Sequence, residues 1–376
     1  MKLDANVCNN LKSIRTRLGM SQQDLANIAG VTRQAISSVE SGQYAPSVAI
    51  SLRLAKALGC QVEELFWLED DLPEVEAVLT KPVPSEQQLR VSLAKIGGQW
   101  IAYPLIGKDA FRMEMIPADG KAHIPTTTNK VQVQLLDDID KLHNTVVIAG
   151  CTPVISFLAK ATERWYPQLR VHYHFANSMA ALRSLDRGEV HIAGMHLYDP
   201  ETEEHNIPFV REALADRSAV LITLGIWEEG LMVQPGNPME IKNLADLVEL
   251  GGTIINREPG SGSRMLLERQ LNKENIPLDI VKGSERIVHS HQDVALAIAS
   301  GIADAGVSTS SIAAAFGLGF VPLHQARYDL VILKEYLEES PVQQFLGILG
   351  HRLVQSQLKV LGGYDISKIG EVVATI

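Results

Sequence analysis

The first 67 residues carry apolar positions at helical spacing, interrupted by short turns. In "NNLKSIRTRLG" an apolar residue recurs every three or four positions until Gly19, and "SQQDLANIAG" repeats the pattern between a capping pair, Ser21 and Asp24, and Gly30. One residue later "TRQAISSVESG" opens on a good N-cap, and "SVAISLRLAKALG" and "QVEELF" add two short amphipathic segments. The pattern predicts five helices, the second and third joined by a tight turn, as in a helix-turn-helix domain.

Residues 68–143 follow a different pattern. The stretch "LEDDLPEVEAVLTKPVPSE" is acidic and contains three prolines, which disfavours a helix. Apolar and polar residues then alternate around Gly97-Gly98 and again around Asp119-Gly120, so we predict two β-hairpins in a small β-rich connector. This connector is either a spacer or dimerisation element that relays movement to the first domain, or an additional β layer on the domain that follows.

From residue 144 to residue 376, short apolar strands alternate with helices. The segments "TVVIAG", "RVHYHF", "EVHIAGMHL" and "GGTIIN" are strand-sized, and each is followed, directly or after a loop, by a segment with helical spacing. This alternation predicts an open, mainly parallel α/β sheet. Ligands of such sheets are expected at the carboxyl ends of the strands.

Composition and charge narrow the function classes. The net charge of −10 argues against a chain that coats nucleic acid along its whole surface, whereas the slightly basic first 67 residues allow one local footprint on it. The longest apolar segments are too short to span a bilayer, and no apolar signal peptide precedes the first helix, so we expect no membrane partner. Three cysteines, Cys8, Cys60 and Cys151, suit reduced thiols in a cytoplasmic protein.

The segment "MSQQDLANIAGVTRQAISSVESGQYAPSVAISLRLAKAL" resembles the Cro/C1-type (XRE) class of helix-turn-helix domains along nearly its full length. The resemblance implies that the third helix enters the major groove of double-stranded DNA, where Arg33 suits guanine and Gln34 suits adenine. The residues placed at the DNA are Gln22, Gln23, Thr32, Arg33, Gln34, Ser37, Ser38, Gln43, Tyr44 and Ser47. Such domains usually read two half-sites, so we expect a homodimer or higher homo-oligomer. The alternative is a helical docking module without a DNA role.

Small polar residues lie where predicted strands of the large domain meet helix N-termini. They are Thr152, Asn177 with Ser178, Ser261 with Ser263, and Ser308 with Ser310. Each alone is ordinary helix capping, but several on one sheet would offer hydroxyl and backbone N–H groups to a shared anion. The turn "INREPGSGSR" adds Arg264, whose guanidinium suits a carboxylate, a phosphate or an oxyanion; the alternative for Arg264 is a surface ion pair.

The stretches "GCTPVISFLA", "ANSMAALRSLDRGEVHIAGMHLYDPETEEHN", "NREPGSGSRMLLE" and "HQDVALAIASGIADAG" resemble a periplasmic-binding-protein-like domain often described as molybdate-binding, over about residues 144–365. The resemblance implies a type II architecture, with two α/β lobes around a cleft, lobe two over about residues 230–325, and crossing strands at "GLMVQPGN" and "RYDLVI". It places in the cleft Thr152, Ser178, Asn206, Ser261, Gly262, Ser263, Arg264, His291, Asp293 and Tyr328. Related sequences often carry an acidic residue in place of Thr152; its loss favours an anion and makes the identity of the ligand less transferable.

No metal centre and no catalytic residue are predicted. His172 and His174 share one strand face, and His289 and His291 precede a helix, where structural roles are more common than metal binding. The turn "GSGSR" lacks the lysine of a P-loop and the third glycine of a dinucleotide turn, and no GxSxG motif is present. Cys151, at a predicted helix start, is a nucleophile candidate that we do not favour.

These patterns predict a multidomain chain. An all-α helix-turn-helix domain covers residues 1–67, a linker and β-rich connector residues 68–143, and a two-lobed ligand-binding domain residues 144–376. The predicted function is a cytoplasmic transcription regulator that binds double-stranded DNA and senses a small anion, either a molybdate- or tungstate-like oxyanion or a small organic anion, without a further cofactor. The alternative is a DNA-binding regulator whose second domain binds no ligand and serves oligomerisation or control by a protein partner.

Overall fold

The computed structural model describes residues 7–68, 72–83, 89–111, 115–123 and 129–376. Parts of three predicted segments lie outside these residues: 1–6 of the helix-turn-helix domain, 69–71 and 84–88 in the acidic stretch, and 112–114 and 124–128 around the second predicted hairpin. The chain forms two compact units. One comprises Met1–Val75 with Gln134–Leu136, and the other comprises Glu76–Val133 with Asp137–Ile376.

The first unit is mainly helical over its described residues, as predicted. Its elements are β1 (Val7–Asn9), α1 (Leu11–Arg17), α2 (Gln22–Ala29), α3 (Arg33–Glu40), α4 (Val48–Leu58), α5 (Val62–Leu65) and β2 (Phe66–Leu68). Strands β1 and β2 pair antiparallel, a small sheet that the sequence pattern did not indicate. The helices enclose a fully buried core that includes Leu11, Leu25, Ile36, Leu54 and Leu65.

The turn between α2 and α3 is fixed by its caps. Ser21 accepts a hydrogen bond from the backbone N–H of Asp24, and the Asp24 carboxylate accepts one from the backbone N–H of Ser21, so the predicted capping pair is present. Helix α2 ends at Gly30, whose φ of 66° lies in the left-handed region. Thr32 then caps α3 by accepting from the N–H of Ala35. These caps set where α3 begins and therefore which of its side chains face outwards.

A small β-barrel follows in the chain. Its strands are β3 (Glu74–Leu79), β4 (Leu89–Ile96), β5 (Gln99–Pro104), β6 (Gly120–His123) and β7 (Lys130–Leu135), closed in the order β3-β5-β4-β6-β7. Strands β4 and β5 form the hairpin predicted at Gly97-Gly98. The hairpin predicted around Asp119-Gly120 is wrong, because β6 starts at Gly120 and pairs with β4. The Asp119 carboxylate fastens this segment to β4 by accepting from the Ser92 hydroxyl and the Leu93 N–H.

The barrel shares its core with the larger domain of the second unit. Ala94, Ile96 and Tyr103 belong to the same buried cluster as the strands of that domain. The Tyr103 hydroxyl donates to the carbonyl of Glu189, and Arg170 pairs with Asp119 at 2.8 Å. This is the arrangement of an additional β layer on the larger domain.

The larger domain alternates strands and helices, as predicted. Up to the first long strand its elements are α6 (Ile139–His143), β8 (Thr145–Gly150), α7 (Pro153–Trp165), β9 (Arg170–Phe175), α8 (Ser178–Asp186), β10 (Ile192–Met195), β11 (Tyr198–Asp199), β12 (Glu204–His205), α9 (Ile207–Ala213) and β13 (Ala219–Val233). The remaining elements are α10 (Leu244–Glu249), β14 (Ile254–Arg257), α11 (Gly262–Lys273), β15 (Ile287–Val288), α12 (His291–Ala299), β16 (Ala305–Thr309), α13 (Ser310–Ala315), β17 (Gly319–Leu333), α14 (Lys334–Leu337), α15 (Ser340–Leu349), α16 (Arg352–Leu361), β18 (Tyr364–Asp365) and β19 (Val372–Thr375). Among the described residues, no helix has the length and hydropathy needed to cross a bilayer.

Two long antiparallel strands, β13 and β17, run through the middle of one sheet, whose order is β15-β14-β16-β13-β17-β10-β8-β9. On one side β17 pairs with β10, and on the other side β13 pairs with β16. The outer strands are parallel, β8 with β9 and β10, and β14 with β15 and β16. Strands β13 and β17 therefore cross between two halves of the sheet. Both are longer than the segments "GLMVQPGN" and "RYDLVI" that were expected to cross.

The crossing strands define two lobes. Lobe one contains β8, β9 and β10 with α7 and α8, and lobe two contains β14, β15 and β16 with α10 to α13. Lobe two has two buried clusters, one with Leu231 and the other with Met232; neighbouring residues of a strand point to opposite faces, so these clusters lie on opposite sides of the sheet. The carboxyl ends of the parallel strands of both lobes meet near the crossing.

Candidate functional site

Helix α3 presents a polar face, as predicted for a DNA-reading helix. Arg33, Gln34 and Ser37 are exposed, whereas Ile36 and Val39 on the opposite face are buried in the core. The predicted contact residues Thr32, Gln43, Tyr44 and Ser47 are exposed as well, and Ser38 is half-buried. The carbonyl of Ser38 accepts hydrogen bonds from the N–H groups of Gln43 and Tyr44 and so shapes the loop after α3.

Two glutamines predicted near phosphates make internal hydrogen bonds. The Gln22 amide donates to the Glu40 carboxylate at 2.8 Å, and the Gln23 amide donates to Asn27 at 2.9 Å. Glu40 also receives the Arg15 guanidinium, with 2.6 Å between Nε and Oε1, in a pair whose side chains are 9% and 5% exposed. The sequence pattern did not reveal this buried pair, which ties α1 to α3 and so holds the exposed face of α3 in place.

Cys151, His196 and His291 converge where the lobes of the second unit meet. Cys151 follows β8, His196 follows β10, and His291 is the first residue of α12. The Cys151 thiol and one ring nitrogen of each histidine lie within 4.8 Å of one another, and all three residues are buried. His196 Nε2 is 3.1 Å from Cys151 Sγ. Sequence reasoning missed this group, which we call the Cys-His-His cluster, because its members are far apart in the chain.

Aromatic rings hold His196 in place. Its ring stacks on Tyr328 at 5.8 Å between centroids and meets Trp227 edge-on at 4.9 Å. The Tyr328 ring, itself buried, fits against Gly150 and Gly194, where an added Cβ would come within 2.5 Å and 2.2 Å of the Tyr328 hydroxyl oxygen. The two glycines thus let the tyrosine lie beneath the strand ends that carry Cys151 and His196.

Glu229 on β13 supplies a buried carboxylate next to His196. Its Oε1 is 3.3 Å from His196 Nδ1 and accepts a hydrogen bond from the Ser263 hydroxyl at 3.1 Å. Burial alone would lower the pKa of His196, but the charges of Glu229 and Cys151, with the hydrogen bonds to both, raise this pKa to about 10. Burial would raise the pKa of Glu229, whereas His196 and Ser263 hold it below its usual value. The two groups therefore form a buried ion pair.

His291 is oriented by Ser308. Its Nδ1 lies 3.1 Å from the Ser308 hydroxyl, whereas Nε2, although buried, has no hydrogen-bond partner within the described part of the chain. Burial, together with the nearby charges of Arg257 and His196, lowers the pKa of His291 well below its usual value. His291 is therefore neutral, and it keeps one buried ring nitrogen without a partner among the described residues.

Several predicted cleft residues lie around His196. Ser178 accepts from the His196 N–H, Ser263 bonds Glu229, and Tyr328 stacks on the ring. Gly262 contacts His196 so closely that an added Cβ would lie 2.2 Å from its carbonyl oxygen. The structure thus brings Ser178, Gly262, Ser263, His291 and Tyr328 together around His196.

The other predicted cleft residues have different surroundings. Thr152 and Ser261 are buried caps of α7 and α11. Asn206, also buried, accepts from the Leu197 N–H and donates to Asp329, so its amide is used within lobe one. Asp293 is half-buried in the first turn of α12, where its N–H is capped by Ser290.

The buried guanidinium of the cleft belongs to Arg257 rather than to Arg264. Arg264 is half-buried: it pairs with Glu268 at 2.8 Å, four residues along α11, and its Nη1 donates to the carbonyl of Arg257 at 3.3 Å. Arg257 is 2% exposed, pairs with Glu258 at 2.9 Å and donates to the carbonyl of His289, while its Nη1 has no partner among the described residues. Arg257 lies seven residues before Arg264 in the same segment, "INREPGSGSR".

The lobes are in direct contact beside this site. The Asn177 amide, at the start of α8, donates to the Glu258 carboxylate and to the carbonyl of Pro259, each at 3.3 Å. The N–H of Met179 donates to the carbonyl of Gly260 at 3.2 Å. Lobe one is therefore hydrogen-bonded to the glycine-rich turn of lobe two, which corresponds to a closed arrangement.

Comparison with known proteins adds two family matches. Residues 159–350, about half of the chain, match a family described as a PBP superfamily domain, and residues 11–65 match a family described as helix-turn-helix.

The chain is also similar to individual proteins. The uncharacterized protein YvgK of Bacillus subtilis (strain 168) is 34% identical over 229 residues, which cover 61% of this chain and 73% of that protein. The uncharacterized HTH-type transcriptional regulator YgzD of the same organism is 41% identical over 63 residues, 17% of this chain and 96% of that protein. Among solved structures, the sulfate-binding protein SubI from Mycobacterium tuberculosis H37Rv aligns with a TM-score of 0.44 and 17% identity, covering 59% of this chain and 86% of that chain. By its family matches, the chain belongs to the PBP superfamily and carries a helix-turn-helix domain at its N-terminal end.

Proposed function

We propose that the protein is a cytoplasmic transcription regulator that binds double-stranded DNA through α3 and binds a small effector between the lobes of its second unit. The proposal of an effector site rests on buried hydrogen-bond donors that have no partner where the two lobes meet. Among the described residues there, Arg257 Nη1 and Trp227 Nε1 are buried donors without a partner. Unpartnered buried donors are costly, so a ligand that accepts their hydrogen bonds would stabilise this arrangement.

The effector that best fits these donors is a small anion, either a molybdate- or tungstate-like oxyanion or a small organic anion. A buried guanidinium is a strong anion ligand, and the Ser310 hydroxyl at the start of α13 is a further buried, unpartnered group. The negative charge of Glu229 would repel an anion, but the positive charge of His196 beside it offsets that repulsion. We therefore expect the anion at Arg257 rather than at Glu229.

In this mechanism the anion favours the closed arrangement, because it contacts both lobes only when they meet. We expect the change between open and closed lobes to alter how two DNA-reading domains of a homodimer, or of a higher homo-oligomer, engage two half-sites. The alternative remains a DNA-binding regulator whose second domain binds no ligand and acts through oligomerisation or a protein partner.

A thermal-shift and calorimetric panel of molybdate, tungstate, phosphate, sulfate and small carboxylates tests the effector proposal. An anion at about 100 times its Kd should stabilise the protein by about 2.7 kcal/mol. Arg257→Gln should abolish this shift, and the matched variant Arg286→Gln should keep it, since Arg286 is an exposed arginine of the same lobe that pairs with Glu285. Equal responses of the two variants, or no response of the unmodified protein to any anion, would contradict the proposal.

A further inference from the structure

The Cys-His-His cluster has the composition of a transition-metal site. A thiolate and two imidazole nitrogens are ligands for ions such as Zn²⁺ and Cu⁺, whereas Mg²⁺ and Ca²⁺ prefer oxygen ligands. We propose that Cys151, His196 and His291 bind one thiophilic metal ion, Zn²⁺ or Cu⁺, at the junction of the two lobes. The proposal concerns metal binding alone and does not depend on the identity of the anionic effector.

The distances suit such a site. The three ligand atoms lie within 4.8 Å of one another, and the Cys151 Sγ to His196 Nε2 distance is 3.1 Å. A tetrahedral zinc ion with bonds of about 2.0–2.3 Å places its ligand atoms about 3.5 Å apart. A movement of about 1 Å by the ligand atom farthest from the other two would therefore complete the coordination. Binding would release two protons to solvent, one from the Cys151 thiol and one from Nε2 of His196, which is charged in its pair with Glu229.

Both histidines are supported in the way that metal ligands usually are. A ligating imidazole commonly contacts a carboxylate or another polar group through its second nitrogen, which orients the ring. His196 has Glu229 Oε1 at 3.3 Å from Nδ1, and its Nε2 faces the thiol. His291 has the Ser308 hydroxyl at 3.1 Å from Nδ1, while its buried Nε2 has no partner among the described residues. This buried nitrogen without a partner is a second observation, separate from the distances, that supports a ligand at the cluster.

The same residues also suggest a cysteine nucleophile, since Cys151, His196 and Glu229 follow the order thiol, imidazole, carboxylate. Two observations favour a metal ion. A nucleophile has no need of His291, whose ring brings a nitrogen to the cluster. The cavities of about 410 Å³ and 240 Å³ in the second unit, which are large enough for a small molecule, have other linings that do not include Cys151.

The proposed ion would join the lobes. Cys151 and His196 follow β8 and β10 of lobe one, whereas His291 begins α12 of lobe two. A bond to each lobe means that the ion binds tightly only when the lobes are closed, and its binding energy then opposes their separation. Three protein ligands also leave the fourth position of a tetrahedral ion open.

The test uses the full chain, freed of metal with a chelator and then exposed to Zn²⁺, to Cu⁺ under reducing conditions, or to Co²⁺ as a visible probe. We expect one ion per chain by elemental mass spectrometry and a thiolate-to-cobalt charge-transfer band. Cys151→Ser should remove that band and weaken Zn²⁺ and Cu⁺ binding at least 100-fold, and His291→Gln should weaken binding about as much. Ser308→Ala, which removes only the support of His291, should weaken binding about 10- to 100-fold.

Cys8→Ser and Cys60→Ser are matched controls, because both thiols lie in the first unit. They should retain full stoichiometry and the cobalt band. Thermal unfolding of each metal-free variant shows whether it is folded, and only folded variants count. Failure of the unmodified chain to retain Zn²⁺ or Cu⁺, or equal binding by folded Cys151→Ser and the unmodified chain, would overturn the proposal. Because metal content is measured without DNA or anion, this outcome is distinct from failure of the effector model.

Discussion

His196 Nε2 lies 3.1 Å from Cys151 Sγ, although 45 positions separate the two residues in the chain. Each residue comes directly after a strand, β8 or β10, and these strands are adjacent and parallel in the sheet, with Ile192 opposite Ile148. Parallel pairing brings their carboxyl ends to one edge, where α12 of the other lobe adds His291. The order of the strands in the sheet is thus what places the thiol and the imidazole of this cluster side by side.

The buried Glu229–His196 pair should contribute strongly to the stability of the second unit. Both side chains are 2% exposed, so Glu229→Gln leaves His196 either charged without a partner or forced to lose its proton. Removing one member of a buried pair costs about 3–5 kcal/mol. Urea unfolding of metal-free protein at neutral pH measures the change. Glu228→Gln is the matched control, because the adjacent Glu228 is exposed and should change stability by less than about 0.5 kcal/mol.

The sequence predicts those features that depend on short-range pattern. The helical spacing of Leu25 and Ala29 and the capping pair Ser21 and Asp24 are local, and they indicated α2 correctly. Ile28, expected on the same buried face, is instead 59% exposed. The alternation of strands and helices likewise indicated the α/β domain. Even Arg264 carried a local signal, since Glu268 lies four residues along the same helix.

The sequence could not predict which strand ends lie side by side. Nothing in the spacing of Cys151, His196 and His291 shows that β8 and β10 are neighbours or that α12 faces them from the other lobe. Nor does local pattern show that Arg257 rather than Arg264 is enclosed, because this depends on which way the end of β14 points after the lobes have packed. The exposed polar face of α3 is the opposite case, since the local caps at Gly30 and Thr32 determine where this short helix begins.

Gly262 should be required for contact between the lobes. An added Cβ there would lie 2.2 Å from the carbonyl oxygen of His196, so Gly262→Ala must push α11 away from lobe one. We expect a loss of about 1–3 kcal/mol in unfolding free energy and a weaker response to any ligand that bridges the lobes. Gly347→Ala on α15 is the control, since its nearest neighbour would be the Tyr166 hydroxyl at 3.7 Å, an ordinary contact. If both variants unfold at the temperature of the unmodified protein, the close approach of Gly262 to the His196 carbonyl does not limit the side chain at position 262.

The Arg15–Glu40 pair should stabilise the helical unit more than an exposed pair can. Glu40→Gln removes the charge that Arg15 contacts at 2.6 Å while preserving a group that can bond Gln22. A loss of about 2 kcal/mol is expected, because Arg15 remains buried without its counter-charge. Glu76→Gln tests an exposed pair, Lys130–Glu76, with side chains 58% and 56% exposed, and should cost less than about 1 kcal/mol. If chemical unfolding shows similar losses of unfolding free energy for Glu40→Gln and Glu76→Gln, burial does not strengthen the Arg15–Glu40 pair.

Arg33 and Gln34 should read DNA bases. A duplex selected from a random pool by the unmodified chain provides the probe, and fluorescence anisotropy measures its affinity. Arg33→Ala and Gln34→Ala should each weaken binding by about 1–3 kcal/mol and relax the preference at one base position. Arg53→Ala on α4 removes an exposed charge outside α3 and should leave the preferred sequence unchanged. Normal selection of the same duplex by Gln34→Ala would show that α3 is not the recognition helix.

His205 should make the second unit less stable in mild acid. Burial, together with the nearby charges of His324, Arg327 and Arg269, lowers the pKa of His205 to about 4, although Glu229 acts in the opposite direction. In the unfolded chain the histidine pKa is about 6.5, so between about pH 6.5 and pH 4 the unfolded state takes up a proton that the folded state resists. The stability that neutral His205 allows is fully present above about pH 6.5 and falls as the pH drops towards 4. One proton sets an upper limit of about 1.4 kcal/mol per pH unit, and the partial exposure of this side chain reduces it.

Urea unfolding in chelator at several pH values across this range measures the effect. His205→Gln should flatten the slope. His324 contributes in the same direction, since burial and Arg269 lower its pKa too, so the slope should decrease further in a double variant with His324→Gln. An unchanged slope in both the single and the double variant would mean that the ring pair at 5.5 Å between β12 and β17 does not resist protonation in the folded protein.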